Sequence, residues 1–423
     1  MSNTVRRHSL GAMSLVAVVL CGGCGTSPAG ALRLSHSPTA TDSPTPSPSD
    51  AATPTPSDAA TPAPTESATP IATPLAPCAD RVFNAMSQDQ RIGQVFLLGL
   101  ANNQLGTAEV NEIQADHVGS VWFTERTYAG AWAIHDVATA VQAQVSGAAT
   151  ANVRFFIAAN QEGGLVQALH GSGFLEMPTA LAQGGLATST LQADALTWGQ
   201  ELRAAGVNLN FAPVMDVVPP GFDAQNQPIG ALQREYGHDP VTAGSHGSAF
   251  LRGMRQAGVA VTLKHFPGLG RVTGNTDYTP ATDTITTMND PYIQSFKQGI
   301  YNGADFVMVA IATYTRIDPS HLAAFSPIVV GNMLRGTLGF RGVIVSDDLG
   351  ATVAVANIPA GDRALAFLSA GGDVVTSKTA DATRAMVSAV RSRAAADPTF
   401  RARVNDAASR VLRLKQAWGL LPC

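Results

Sequence analysis

The sequence carries no block of basic residues beyond its first positions, and its formal net charge is -4. A nucleic-acid surface needs clustered Lys and Arg facing phosphates, so no nucleic-acid partner is expected. Long apolar runs are missing too: none reaches the roughly 18 residues that a membrane span requires. Cysteine is scarce, at 4 residues, and the 9 histidines are scattered. No His/Cys cluster shows metal-ligand spacing, so neither a metal nor another cofactor is expected. Charged residues make up 14% against 45% hydrophobic, a globular composition. The length of 423 residues allows one large domain or two ordinary ones.

What is present divides the chain into three parts. Residues 1–24 read as an export signal: Arg6 and Arg7 precede the apolar "LGAMSLVAVVL", and small residues follow in "CGGC". The segment resembles a bacterial lipoprotein signal, in which a cysteine just past the cleavage point receives lipid. That resemblance marks Cys24 for lipidation, although Cys21 stands where an aliphatic residue is usual. Ordinary cleavage and full secretion is the alternative. Either way the body is expected outside the cytoplasm, anchored to the cell membrane by lipid or secreted. Residues 25–77 hold 12 of the chain's 26 prolines, and "SDAATPTPSDAATPAP" nearly repeats itself. With few large apolar side chains to offset ordering entropy, this stretch reads as a disordered, semi-extended tether.

Residues 78–423 alternate short apolar runs with amphipathic ones. The apolar runs are "QVFLLGL" (94–100), "VGSVWF" (118–123), "VRFFIAA" (153–159), "VNLNFAPVMDV" (207–217), "VAVTLKHF" (259–266), "ADFVMVAI" (304–311), "GVIVSDD" (342–348) and a last unit around "GGDVVTS". They lack polar alternation, which suits parallel strands buried on both faces. Helices are expected near 129–146, 190–205, 240–256, 289–301 and 326–338. About eight such units suggest one (β/α)₈ barrel, and a doubly wound open sheet is the competing architecture. Barrel enzymes place chemistry at the carboxyl ends of the strands. There the sequence clusters Asn160-Gln161-Glu162, Asp216, Lys264-His265 and Asp347-Asp348. Cys78 opens this domain and Cys423 ends the chain. In an oxidising compartment the two could pair, provided the domain's termini are neighbours, as in a closed barrel.

Taken together, "RIGQVFLLG", "NQEGGLVQ", "NFAPVMDV", "LKHFPGLG" and "LRGTLGFRGVIVSDDLG" resemble glycoside hydrolase family 3, and most closely its single-domain bacterial β-N-acetylglucosaminidases. The resemblance spans about residues 85–376. It implies a retaining β-glycosidase that forms a covalent glycosyl-enzyme and needs no cofactor. It places the nucleophile at Asp347, the Asp directly after Ser in "SDD", and leaves Asp348 to cap the next helix. It assigns Lys264 and His265 to hydrogen bonds with sugar hydroxyls and Arg234 to a sugar contact. Asn160 stands where the family usually has Asp, and Ala168 where it has Arg, so recognition at that edge is altered. The expected partner is a carbohydrate with a β-linked amino sugar, above all N-acetylglucosamine-terminated peptidoglycan fragments, acted on by a monomer.

One part of the pattern is missing. The single-domain relatives carry Asp-x-His after "KHFPGHG", with the His as acid/base. Here the triplet is Asn275-Thr276-Asp277, and Leu269 replaces the first histidine. Three readings stay open. Asp277 could be the acid/base, with its pKa of ~3.9 raised by burial or by Asp347 and its protonated form bonded to Asn275. The protein could bind cell-wall sugars with little or no turnover. Or the loop could serve leaving groups that need little acid help. Two-domain family members take an acid/base from a second domain, and this chain is expected to end at the barrel. His321 and Asp283 are minor alternatives, and His170 and His238 read as surface or structural residues.

Overall fold

The computed structural model describes residues 77–423. The export signal, Cys24 and the linker before Pro77 lie outside them. Runs of branched and aromatic residues form eight barrel strands: β1 Phe96–Leu100, β2 Ser120–Phe123, β3 Phe156–Ala159, β4 Leu209–Asn210, β5 Ala260–Phe266, β6 Phe306–Val309, β7 Val343–Ser346 and β8 Val375–Ser377. They pair in parallel in the order β7-β6-β5-β4-β3-β2-β1-β8. A further parallel bridge between Val345 and Val374 joins the two outer strands, so the sheet closes into a (β/α)₈ barrel.

The strands read as continuous apolar runs because both faces are buried, yet they still alternate. Leu97, Phe156, Ala158, Phe306, Met308, Val343 and Val345 fill the barrel interior. Their neighbours Phe96, Leu98, Ile157, Val307, Val309 and Ile344 pack outward against the helices. Val411 and Leu420, from the C-terminal segment, join the interior cluster. Helix Pro240–Gln256 shows how local signals set the outer ring. Its Pro occupies the first turn, and Asp239 accepts hydrogen bonds from the backbone N–H groups of Val241 and Thr242, 2.9 Å each.

Two expectations are corrected in detail. The strand read over 207–217 shrinks to Leu209–Asn210, followed by a lone bridge from Val214 to Lys264. Pro213 has no N–H to give the ladder, and the chain turns toward the loop region there. The helix read over 326–338 is a π-helix, Ile328–Thr337. Small additional pairings lie among the loops: a hairpin of Gln161–Gly163 with Val166–Gln167, and a sheet of Thr282–Asp283, Thr313–Tyr314 and Asp318–Leu322.

Cys78 and Cys423 form a disulfide across a sequence separation of 345 residues, with Cα atoms 6.0 Å apart. It closes the barrel domain end to end and restricts the unfolded chain. Replacing both with Ser is expected to lower unfolding free energy by about 2–4 kcal/mol. Denaturant titration of the double variant against the oxidised protein measures this, and an unchanged midpoint would contradict it.

Candidate active site

The carboxyl ends of β3, β5 and β7 deliver Asn160, Lys264-His265 and Asp347 to one mouth of the barrel, around a cavity of about 660 Å³. Trp122, Phe211 and Met308, which cap the interior packing, line it from below. Arg234 reaches it from the long connection between β4 and helix Pro240–Gln256. The Lys264–His265 and Phe266–Pro267 peptides are cis.

One wall is a buried charge network. Glu162, on the hairpin after β3, accepts two hydrogen bonds from Arg234, Nε to Oε2 and Nη2 to Oε1, both 2.8 Å. Lys264 Nζ lies 2.5 Å from the same Oε1 and donates to Asn160 Oδ1 at 2.8 Å. Burial alone would push the Glu162 carboxyl up, but the Arg234 and Lys264 charges hold it at about 2. Burial disfavours the Arg234 cation as well, and Glu162 outweighs that and raises it. Counting donors shows what is left for a ligand. Arg234 has five N–H groups and uses two on Glu162 and one on the Pro228 carbonyl at 2.8 Å.

Asp216, fully buried, fixes the histidine. Its Oδ2 lies 2.7 Å from His265 Nδ1, and its Oδ1 accepts from Leu269 N at 2.8 Å. A carboxylate can only accept, so Nδ1 carries the proton. His265 Nε2 then faces Arg234 Nη2 at 3.5 Å as an acceptor. With Nδ1 committed to Asp216, Nε2 is the ring nitrogen left for a ligand. Asn160 is placed in the same way. Its oxygen is taken by Lys264, and among the described residues no acceptor holds its amide N–H₂.

Asp347 differs from these groups. It is half-buried, lines the cavity, and its Oδ1 accepts one hydrogen bond, from Asp348 N at 2.8 Å. Among the described residues none forms a salt bridge with it. Asp348 does not cap a helix, because a turn follows instead. Its oxygens accept from the backbone of Gly350 and Lys378 at 2.8 Å and of Ala351 at 3.1 Å, tying the ends of β7 and β8 together.

The loop after β5 is built against its neighbours. A side chain at Gly270 would sit 1.8 Å from the Val217 carbonyl oxygen, so only glycine allows this approach. Buried Asn226 donates to the carbonyls of Leu269 and Val272, both 2.7 Å. Val353 N and Ala354 N donate to the carbonyls of Asp277 and Thr276 at 3.4 and 3.2 Å. These ties anchor the stretch to its neighbours. Asn275 does not hold the Asp277 carboxyl either. Its Oδ1 accepts from Asp277 N at 3.1 Å, an Asx turn that aims the loop. Asp277 lines the cavity with Asp347. The residue is exposed where it lines the cavity. Desolvation first, and the Asp347 charge second, push it above the usual carboxylate range.

The remaining candidates are occupied elsewhere. His321 pairs with Asp318 at 3.0 Å, and Asp283 is buried and accepts from Ile285 N, Thr286 N and the Thr286 hydroxyl. His170 pairs with Glu176 and stacks on Tyr128.

The sequence model of the glycosyl hydrolase family 3 N terminal domain matches residues 87–414. The chain belongs to glycoside hydrolase family 3. A beta-hexosaminidase from Stenotrophomonas maltophilia (strain R551-3) is 36% identical over 292 residues, 66% of this chain and 82% of the relative. The crystal structure of a beta-N-acetylhexosaminidase from Beutenbergia cavernae DSM 12333 is 48% identical with a TM-score of 0.77, covering 78% of this chain and 99% of that one. A family 3 beta-N-acetylglucosaminidase from Paenibacillus sp. str. FPU-7 is 28% identical with a TM-score of 0.70, covering 79% and 63% respectively.

In this family 3 hydrolase the strand-end residue to which sequence reasoning gave no role is Glu162, the shared counter-ion of Arg234 and Lys264. Glu162→Gln would leave two nearly buried cations against a neutral amide, and it is expected to cost about 3 kcal/mol of stability. The native carboxylate's folded pKa is depressed, so its contribution is complete above pH ~4.3 and is lost as pH falls toward about 2. Denaturant titrations of wild type and variant between neutral pH and pH 3 measure both. A gap that did not narrow on acidification would refute the role.

Proposed function

We propose that the chain is a retaining β-N-acetylhexosaminidase, exported and held at the cell surface through Cys24, that removes terminal N-acetylglucosamine from peptidoglycan fragments. The observation that carries the chemistry is Asp347: a cavity carboxylate free of any cation's grip among the described residues, facing polar groups already oriented by Glu162 and Asp216. In the first step an Asp347 oxygen bonds to the sugar C1 while the C1–O bond to the leaving group breaks. Asp277, protonated, gives its proton to the departing oxygen. In the second step Asp277, now a carboxylate, takes a proton from water. The water oxygen bonds to C1 and the Asp347–C1 bond breaks. The spare N–H groups of Arg234 and Lys264 and the acceptor on His265 orient the sugar hydroxyls. The amino-sugar specificity rests on the similar hexosaminidases, and export and anchoring rest on the reading of residues 1–24.

The test is hydrolysis of an aryl β-N-acetylglucosaminide and of muropeptide fragments, with the first-formed anomer followed by NMR. Release of β-N-acetylglucosamine supports the proposal. A first-formed α anomer would overturn retention. Equal silence of wild type and Asp347→Ala on both substrates would leave a sugar-binding barrel instead.

A further inference from the structure

Beside the sugar site, the connection that carries Arg234 brings Asp223, Glu235 and His238 together. One ligand atom from each lies within 4.8 Å of the others. The scattered histidines of the sequence gave no hint of this, because the third member is a dozen positions away across a turn. Glu235 is completely buried, yet neither of its carboxylate oxygens meets a hydrogen-bond donor, and Asp223 Oδ1 meets none either. The adjacent cation does not serve them: the Arg234 hydrogen bonds go to Glu162 and to the Pro228 carbonyl. Buried carboxylates are found paired or coordinating metal, because an uncompensated one is costly. His238 Nδ1 lies 3.5 Å from Asp223 Oδ1 and 3.2 Å from the Val218 carbonyl. The His238 and Asp223 side chains are 35% and 37% exposed, which leaves an entry path from solvent.

We propose that Asp223, Glu235 and His238 form a binding site for one divalent transition-metal ion, Zn²⁺ in particular. Two carboxylates and an imidazole suit Zn²⁺ better than Ca²⁺ or Mg²⁺, which prefer all-oxygen shells. Two carboxylate charges balance the ion, and water completes its shell on the exposed side. The ion ties the start of the 219–239 connection to its end, next to Arg234.

The test uses the full chain with Cys21→Ser and Cys24→Ser, so that no free thiol competes, stripped with chelator and titrated calorimetrically with ZnCl₂. One ion per chain is expected. Glu235→Gln and His238→Ala should each weaken binding by at least about tenfold, the smaller end of what even outer-shell changes cost. Asp347→Asn should leave binding intact. Co²⁺ loaded in place of Zn²⁺ should give a visible absorption band that His238→Ala abolishes. Circular dichroism checks folding, and His238→Ala, at a half-exposed position, carries the test if Glu235→Gln does not fold. No stoichiometric binding would show Glu235 and Asp223 to be a pair sharing a proton and would overturn the proposal. Binding that survives His238→Ala unchanged, or disappears with Asp347→Asn, would overturn it as well.

Discussion

Replacing Asp347 by alanine is expected to lower kcat/KM by at least about 10⁴-fold, as removal of a covalent nucleophile does elsewhere. The fold should barely notice. The carboxylate makes one hydrogen bond, to its neighbour's amide, and relieving its repulsion with Asp277 offsets part of that loss, so stability should shift by less than about 1 kcal/mol. Loss of activity with an unchanged unfolding midpoint therefore reports chemistry and not collapse. The vacated space also offers a sharper readout. Azide supplied at high concentration can enter where the carboxylate stood and attack C1 from that face. The expected product from an activated aryl β-glycoside is the α-glycosyl azide. A β-azide would mean attack from the other side, and undiminished hydrolysis by the variant would remove Asp347 from the nucleophile position altogether.

Much of this was legible because barrel geometry turns strand ends into site positions. Apolar runs ending in "LKH" and "VSDD" place Lys264, His265 and Asp347 at one mouth of the barrel by sequence pattern alone. The end-to-end cysteines fit the same closed form. Other features were not legible, and for a common reason. Glu162 meets Arg234 across 72 positions in sequence, so its role depends on a contact that no local pattern encodes. His265 becomes an acceptor only because Asp216, from another strand end, fixes its tautomer. Asn275 looked like a partner for a protonated Asp277, but a short amide side chain satisfies the backbone N–H two residues on more readily than a side chain beyond it. The 207–217 strand failed where Pro213 removes a ladder donor, a local rule that an apolar run obscured.

Asp277→Asn is expected to separate substrates by their leaving groups. On fragments that expel a sugar alkoxide, loss of the general acid should cost about 10²–10⁴-fold in kcat/KM. On an aryl glycoside with an acidic phenol the bond breaks with little help, and the loss should be far smaller. The pH profile supplies a second readout. The acid form of Asp277 is the active one for the first step, and crowding with the Asp347 charge raises its pKa, so wild-type kcat/KM should fall as pH climbs through that raised value. In Asp277→Asn this limb should vanish. The coupling between the two carboxylates also explains how one group can serve both steps. While Asp347 is a free carboxylate it holds the proton on Asp277. Once Asp347 is esterified to the sugar its charge is gone, the push on Asp277 falls, and Asp277, having given its proton to the leaving group, stays ionised and is available to take a proton from water. Asp347→Asn, which removes the same charge without a sugar, should therefore lower the Asp277 pKa, a change that carboxyl-resolved NMR titration can follow. Full activity of Asp277→Asn on both substrate classes, or a titration indifferent to Asp347→Asn, would move the acid/base role to another group.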